Sequence, residues 1–517
     1  MTLTMRIVTA ACEKIVAVFA VILIPIAISA QSVIVSISSE KDNTLYEDTT
    51  GALSNGAGFY LFAGRSSQAT NSIRRGVMQF DIDASIPSGA VILDAELTLH
   101  MSRTSFGPTA VELHRLLSDW GEGTSDAAGE EGGGALSTTD DATWIHTFYN
   151  TGFWTLPGGD FSATLSTSAI VDSNGYYTFS STSTMIADIQ GWLDNPSENF
   201  GWIILGDETA AGSSKRFDCR ESPVSANRPK LTVTYAIPSQ MAIPAMKDNT
   251  LCEESTGALS NGAGSNFFVG KTNQFSNSLR RGVIAFDVAG NITAGSLVVG
   301  AQLKLNMSKT ISGTFPVNLH KLLADWGEGT SNAAGNEGGG APSTMMDATW
   351  IHTFFNSSFW STAGGDFDPS VSGTSMIAGV GSYTFGTTPL IAADVQEWLD
   401  VPGSNFGWLV IGDETTAGSA KRFDSKENSI MMNRPSLIVY FIPPPCCIDI
   451  RGDVNNDGAN ANILDLNYMV NRIFRGGPPA ACFVEADVNS DGTSSNVLDL
   501  NFLVNRIFRG GVAPEAC

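Results

Sequence analysis

The chain has 517 residues, with 29 Lys+Arg against 52 Asp+Glu for a formal net charge of −23. That length exceeds what one hydrophobic core usually serves and predicts two to four domains, while 43% hydrophobic and 16% charged residues exclude a disordered polyelectrolyte. The negative balance argues against nucleic acid or an anionic membrane surface as partner, and 53 glycines point to short strands and many turns.

Met1 to Lys14 is short and weakly basic, and an apolar run from Ile15 to Ile28 ends at Ser29-Ala30-Gln31. A core of that length closed by small residues reads as a secretory signal at residues 1–30, cleaved after Ala30. It is too short for a comfortable membrane span. Cys12 precedes the apolar run instead of following it, unlike a lipoprotein signal. The expected mature protein is secreted, with no membrane span, and is either free or held at a surface through a partner.

An internal duplication organises the next 400 or so residues. Asp42-Asn43-Thr44-Leu45 recurs as Asp248-Asn249-Thr250-Leu251, an offset of 206 residues. The same offset relates Arg74-Arg75-Gly76 to Arg280-Arg281-Gly282, and Asp119-Trp120-Gly121-Glu122-Gly123 to Asp325-Trp326-Gly327-Glu328-Gly329. It holds again for Asn227-Arg228-Pro229 and Asn433-Arg434-Pro435. A period this long means two copies of one domain and excludes a solenoid; their expected bounds are 31–238 and 239–442.

Within a copy, Val91, Leu93, Ala95, Leu97 and Leu99 alternate with Ile92, Asp94, Glu96, Thr98 and His100, as a strand with one face on a core would. Leu231, Val233 and Tyr235 predict a terminal strand after Arg228-Pro229. Ser183 to Leu193 predicts one helix, with Ile186, Ile189, Trp192 and Leu193 on one face. Many short strands, turns and a small helix predict a mainly β fold: two tandem jelly-roll β-sandwiches.

The opening Lys41-Asp42-Asn43-Thr44-Leu45-Tyr46-Glu47, the Arg-Arg-Gly step into Phe80-Asp81, the Trp-Gly-Glu-Gly loop, Ala142-Thr143-Trp144 and the closing Arg-Pro strand resemble the DNRLRE domain. That family is similar to carbohydrate-binding modules of jelly-roll type in secreted proteins. The resemblance covers nearly all of residues 33–442 and implies binding of polysaccharide.

All ten tryptophans fall in the duplicated region, five per copy. Trp144 and Trp154, with Trp350 and Trp360 in the second copy, sit among Gly, Thr and Asn in long loops, and are the candidates for stacking on a sugar ring. Trp192 belongs to the helical apolar pattern and reads as core. His114 and His146, repeated as His320 and His352, lack neighbours at metal-ligand spacing and read as loop-structuring. Asp207-Glu208 and Asp413-Glu414 are the only suggestion of a hydrolytic carboxylate pair. Adjacent strand residues point to opposite faces, so ion pairs with Lys215-Arg216 and Lys421-Arg422 are the expected use. No nucleophile elbow, phosphate loop or zinc motif is present, and tandem binding domains gain avidity.

Pro443-Pro444-Pro445 makes a stiff linker at 443–445, and a second repeat begins beyond it. Asp453-Val454-Asn455-Asn456-Asp457-Gly458 recurs as Asp487-Val488-Asn489-Ser490-Asp491-Gly492, 34 residues on. Oxygen-bearing residues at alternate positions before a Gly suit a calcium loop. Asp465 and Asp499 close the two loops, and Asn462 and Asn496 can add an oxygen directly or through water. Each loop feeds a predicted helix: Leu466, Met469, Val470, Ile473 and Phe474 form one apolar face, Leu500, Leu503, Val504, Ile507 and Phe508 the other. Crowded carboxylates repel until a cation neutralises them, so two Ca2+ ions are expected to be linked to folding of residues 446–517.

This paired arrangement resembles a type I dockerin, a small α-helical, EF-hand-like module. Each loop here is one residue longer than the twelve-residue spacing, and Ala461 and Ser495 replace the usual mid-loop apolar residue. The resemblance implies that Ile463, Leu464, Val497 and Leu498 meet a cohesin-like partner. Cys446, Cys447, Cys482 and Cys517 bracket the repeats and allow three disulfide pairings in an oxidising compartment. Cys219 and Cys252 have no counterparts in the other copy, and either bridge the two large domains or stay free. The expected function is that of a secreted, non-catalytic protein accessory to polysaccharide breakdown, attached by its tail to a cohesin-bearing scaffold or surface. The alternatives are an extracellular glycan hydrolase or lyase, and a structural surface protein.

Overall fold

The computed structural model describes residues 32–311, 313–444, 447, 451–478, 480, 482–491 and 493–515. The signal segment expected at residues 1–30 lies outside them, as do Cys446, Gly492 and Cys517.

The first strand, Val33–Tyr46, is used twice. Residues 33–38 pair with Lys230–Ala236, and residues 39–46 pair with Ile73–Phe80, with a register break between Ser39 and Lys41. A break of this kind bends a strand and raises its twist, which lets one strand serve two layers. Pairing then runs from Lys230–Ala236 to Val91–Arg103, Lys215–Asp218, Tyr60–Arg65 and Ile73–Phe80, and back to the first strand. Six antiparallel strands therefore close into a barrel-like sandwich with no free edge in the ring. Trp202–Leu205, Thr109–Leu116 and Phe161–Val171 extend one layer beyond the ring, and Gly175–Phe179 adds to Val91–Arg103.

The second copy repeats the ring with Ser239–Cys252, Ser436–Ile442, Leu297–Thr310, Lys421–Asp424, Asn266–Lys271 and Leu279–Phe286. Each copy has its own core. In the first, Thr182 caps the helix Ser183–Asp194, which buries Met185, Ile189, Trp192 and Leu193. Trp192 meets Trp202 edge-on at 4.6 Å, as Trp398 meets Trp408 at 4.5 Å in the second. Burying rings of this size removes roughly 150–250 Å2 each from water, an upper estimate of about 4–6 kcal/mol per ring.

The expected alternation along Val91–Arg103 holds only in part. Ala95, Leu97, Leu99 and Met101 are buried, but Ile92 faces the core in place of Leu93. Pairing with Lys230–Ala236 skips a residue there, with Asp94 opposite Thr234 and Ile92 opposite Tyr235. One extra residue in a strand reverses every side chain before it.

The carboxyl-terminal segment carries two helices, Ile463–Arg475 and Val497–Arg509. Left-handed Gly476 and Gly510 end them, at φ of 69° and 68°. Val454, Leu466, Met469, Ala486, Val488 and Leu503 form its small core. Phe474 and Phe508, expected on the apolar faces of the two helices, are 63% and 62% exposed. Both lie in the last helical turn, beyond the reach of that core. Cys447 and Cys482 each take part in a disulfide. Cys219 and Cys252 are free and buried, each in its own domain, so they form no bridge. Among the described residues, no helix is long and apolar enough to cross a membrane.

Candidate functional site

The two acidic loops before the tail helices have nearly the same hydrogen bonds. Asp453 accepts the backbone N–H groups of Asp457 at 2.9 Å and Gly458 at 2.7 Å, folding the turn around one carboxylate. Asp487 accepts that of Asp491 at 3.0 Å. Asn455 donates its amide to Asp457 at 2.8 Å, and Asn489 to Asp491 at the same distance. Asp465 and Asp499 are fully buried, and each accepts a backbone N–H from across its loop, that of Asn455 or Asn489, at 3.3 Å. Burial pushes both carboxyls above the ordinary carboxylate range, and the nearby Asp453 and Asp487 charges add to the rise. Each loop thus carries three aspartates and an asparagine, oxygen donors of the kind that hard divalent cations take. Among the described residues, only Asp42, Cys219 and Glu221 bring three carboxylate, thiol or imidazole ligand atoms within 4.8 Å of one another.

Asn462 and Asn496 have another task. Asn462 Oδ1 accepts the N–H of Leu464 at 2.6 Å and its amide donates to Ala459 O at 2.5 Å, while Asp465 accepts the N–H of Asn462 at 2.9 Å. Asn496 and Asp499 form the same capping box. The amide oxygens expected as further ligands are turned toward the helix ends as caps. Next to these caps, Ile463, Leu464, Val497 and Leu498 are 48–61% exposed.

The sandwiches distribute their predicted residues differently from expectation. Trp144, Trp154 and Trp360 are buried and Trp350 is partly buried; all four pack in clusters below the loops. Trp154 Nε1 donates to Thr143 O at 2.8 Å, and Trp360 Nε1 to Thr349 O at 2.9 Å. The polar loops fold over the rings of Trp144, Trp154 and Trp360, and Trp350 alone of the four is left partly exposed. Glu208 pairs with Arg75 instead of Lys215-Arg216, through two bonds of 2.7 and 3.0 Å, and Glu414 pairs likewise with Arg281. Lys215 instead donates to Thr104 and to the Phe106 and Gly107 carbonyls. Asp207 turns its carboxylate onto Thr209 at 2.7–2.8 Å. His114 and His320 brace loops through carbonyls of Ser162 and Asp368 at 3.0 Å, and His146 and His352 hold Thr143 and Thr349.

The duplicated Trp-Gly-Glu-Gly loop also has a structural use. Glu122 accepts the N–H of Asp42 at 2.9 Å and grips Arg220 at 2.7 and 2.8 Å, tying the first strand to the last loop. A side chain on Gly121 would place its Cβ 1.9 Å from Asp140 O, so the loop needs glycine there. Asp42 is buried beside Glu221 and Cys219, and burial, then the Glu221 charge, raises its carboxyl to about 8.

The sequence reading missed a cavity of about 340 Å3 in the first copy, walled by Phe62, Arg74, Arg103, Arg216 and Glu130. The arginines come from strands Ile73–Phe80, Val91–Arg103 and Lys215–Asp218. Arg74-Arg75 and Lys215-Arg216 were visible as repeated basic pairs; their convergence was not.

No family model matches the chain, and no curated protein matches it. Among solved structures, it is similar to that of the Macrobrachium rosenbergii nodavirus at 6% identity, over 85% of this chain and 97% of that one, with a TM-score of 0.16. The N-terminal CBM22-1–CBM22-2 tandem domain of Paenibacillus barcinonensis Xyn10C is similar at 8% identity, over 80% and 98%, with a TM-score of 0.13. Scores this low leave function to be argued from the residues themselves.

Proposed function

We propose that this is a secreted, non-catalytic modular protein that holds polysaccharide on two jelly-roll domains and attaches to a partner through a calcium-dependent, dockerin-like tail. The observation that carries the reading is the duplicated loop-and-cap geometry of the tail. Asp453, Asn455, Asp457 and Asp465 would hold one Ca2+, and Asp487, Asn489, Asp491 and Asp499 the other. The donors are oxygens only, and the buried carboxyls of Asp465 and Asp499 lie beside further aspartates, of which Asp487 is paired with Arg451 at 3.3 Å. A bound dication neutralises the charge that remains.

Each loop leads into a capped helix that starts with an exposed apolar pair, Ile463-Leu464 or Val497-Leu498. Ordering the loops therefore orders those pairs for a cohesin-like partner. The exposed Phe474 and Phe508 extend the apolar surface along the same helices.

For the sandwiches, support moves from the tryptophans to the arginine-walled cavity. Its size suits one or two sugar rings. Arg74 already donates to the carbonyls of Gly132, Asn71 and Ile73 and to Gln68. Arg103 and Arg216 are therefore the guanidiniums that would meet a carboxylate in bidentate fashion. A polysaccharide bearing carboxylates is the ligand that this chemistry favours. A hydrolase is the weaker reading, because Glu208 and Glu414 are each committed to an arginine.

Retention of the full chain on immobilised polysaccharides, with a parallel assay for new reducing ends or unsaturated products, tests the first half. Retention without turnover supports the proposal, and turnover would favour the enzyme.

A further inference from the structure

The two copies differ by one charge at the same place. In the first, Arg103 at 2.5 Å and Arg216 both bind the carboxylate of Glu130. Among the described residues, that carboxylate meets only these two guanidiniums, and the Arg103 hydrogen bond leads in holding its pKa below the ordinary value. The Glu130 side chain is 68% exposed.

In the second copy, Arg280, Lys309 and Arg422 stand where Arg74, Arg103 and Arg216 stand in the first, and Asn336 replaces Glu130. The scaffold is kept: Arg422 Nε donates to Ser308 Oγ at 3.0 Å, as Arg216 Nε does to Ser102 Oγ. Lys309 donates to the neutral Asn336 Oδ1 at 3.0 Å. Among the described residues, no carboxylate pairs with Lys309 or Arg422. In a chain of net charge −23, this is a local inversion of sign.

We propose that Glu130 is an intramolecular stand-in for a ligand's carboxylate. The first copy then holds its own anion seat occupied, and the second copy, with Lys309 and Arg422 free of a counter-charge, is the open site for a carboxylate-bearing polysaccharide. The inference rests on the polysaccharide-binding reading and moves its open seat from the first-copy cavity to the matching residues of the second copy. A tethered carboxylate competes with every incoming one, and its two exposed ion pairs set the strength of that competition.

The test is calorimetric titration of the full chain with polygalacturonate, using fully methyl-esterified polygalacturonate as the uncharged control. Glu130→Gln is expected to open a second class of site, with affinity in the first copy rising roughly 3- to 20-fold. Asn336→Glu is expected to weaken the open site by a similar factor. Neither change should alter binding of the ester. Both positions are exposed, so each variant should still unfold cooperatively, shifted by no more than the gain or loss of the ion pairs themselves. Binding of polygalacturonate that is the same in all three proteins overturns the inference and leaves the wider reading standing. Equal shifts with the ester also overturn it. Absence of binding to either polymer by all three proteins overturns both.

Discussion

Asp465 and Asn462 cap each other: the aspartate accepts the asparagine's backbone N–H at 2.9 Å, and the asparagine's side chain accepts that of Leu464 at 2.6 Å. This box joins the acidic loop to the helix Ile463–Arg475, so whatever orders the loop orders the helix start. If Asn462 acts as a cap, Asn462→Ala should cost about 1 kcal/mol of tail stability while leaving calcium affinity within about twofold. Thermal unfolding and calorimetric titration of the same variant separate the two effects. A large loss of affinity would return Asn462 to the ligand set.

Arg75 and Glu208 form a two-bonded pair with side chains only 16% and 25% exposed. Arg75 also lies 4.9 Å from the ring of Trp144 and donates to Gly158 O. Arg75→Lys loses the planar fork, and is expected to destabilise the first domain by about 1–3 kcal/mol. Arg281→Lys should do the same to the second, and chemical denaturation checks both.

The buried carboxyl of Asp42 gives the first domain a pH dependence. Its pKa is raised from 3.8 to about 8, first by burial and then by Glu221. The folded state therefore binds more protons than the unfolded state between these values. Stability from this group is fully present below about pH 4 and is lost as pH rises toward 8. Asp42→Asn should remove that slope, raising stability at pH 8 more than at pH 4. Scanning calorimetry across this range reads the difference, and an unchanged slope would show that Asp42 stays ionised when folded.

Trp154 and Trp360 act as core pillars in this structure. Trp154→Ala should cost about 3–5 kcal/mol, the range for emptying a large aromatic site. Trp154→Phe should retain polysaccharide binding at a modest cost in stability. Loss of binding by the folded Phe variant, seen by affinity electrophoresis, would restore the stacking role.

What could be read from the sequence was set by distance along the chain. The tail loops put their oxygens at positions 453, 455, 457 and 465, close enough for spacing alone to report them. Val91–Arg103 was legible as a strand, but the skipped residue near Leu93 depends on its partner strand and leaves no local sign. The loops holding Trp144 and Trp154 are polar in composition, and only folding closes them over the rings. Arg74, Arg103 and Arg216 come together through three strands of one closed ring, a convergence no local pattern records.

The central claim is that the tail loops capture calcium. Calorimetric titration of the full chain with Ca2+, beside an Asp453→Ala/Asp487→Ala double variant, tests it most directly. Two ions per chain are expected for the unsubstituted protein, with their binding abolished in the variant. No binding, or binding that the double variant leaves intact, would contradict the account.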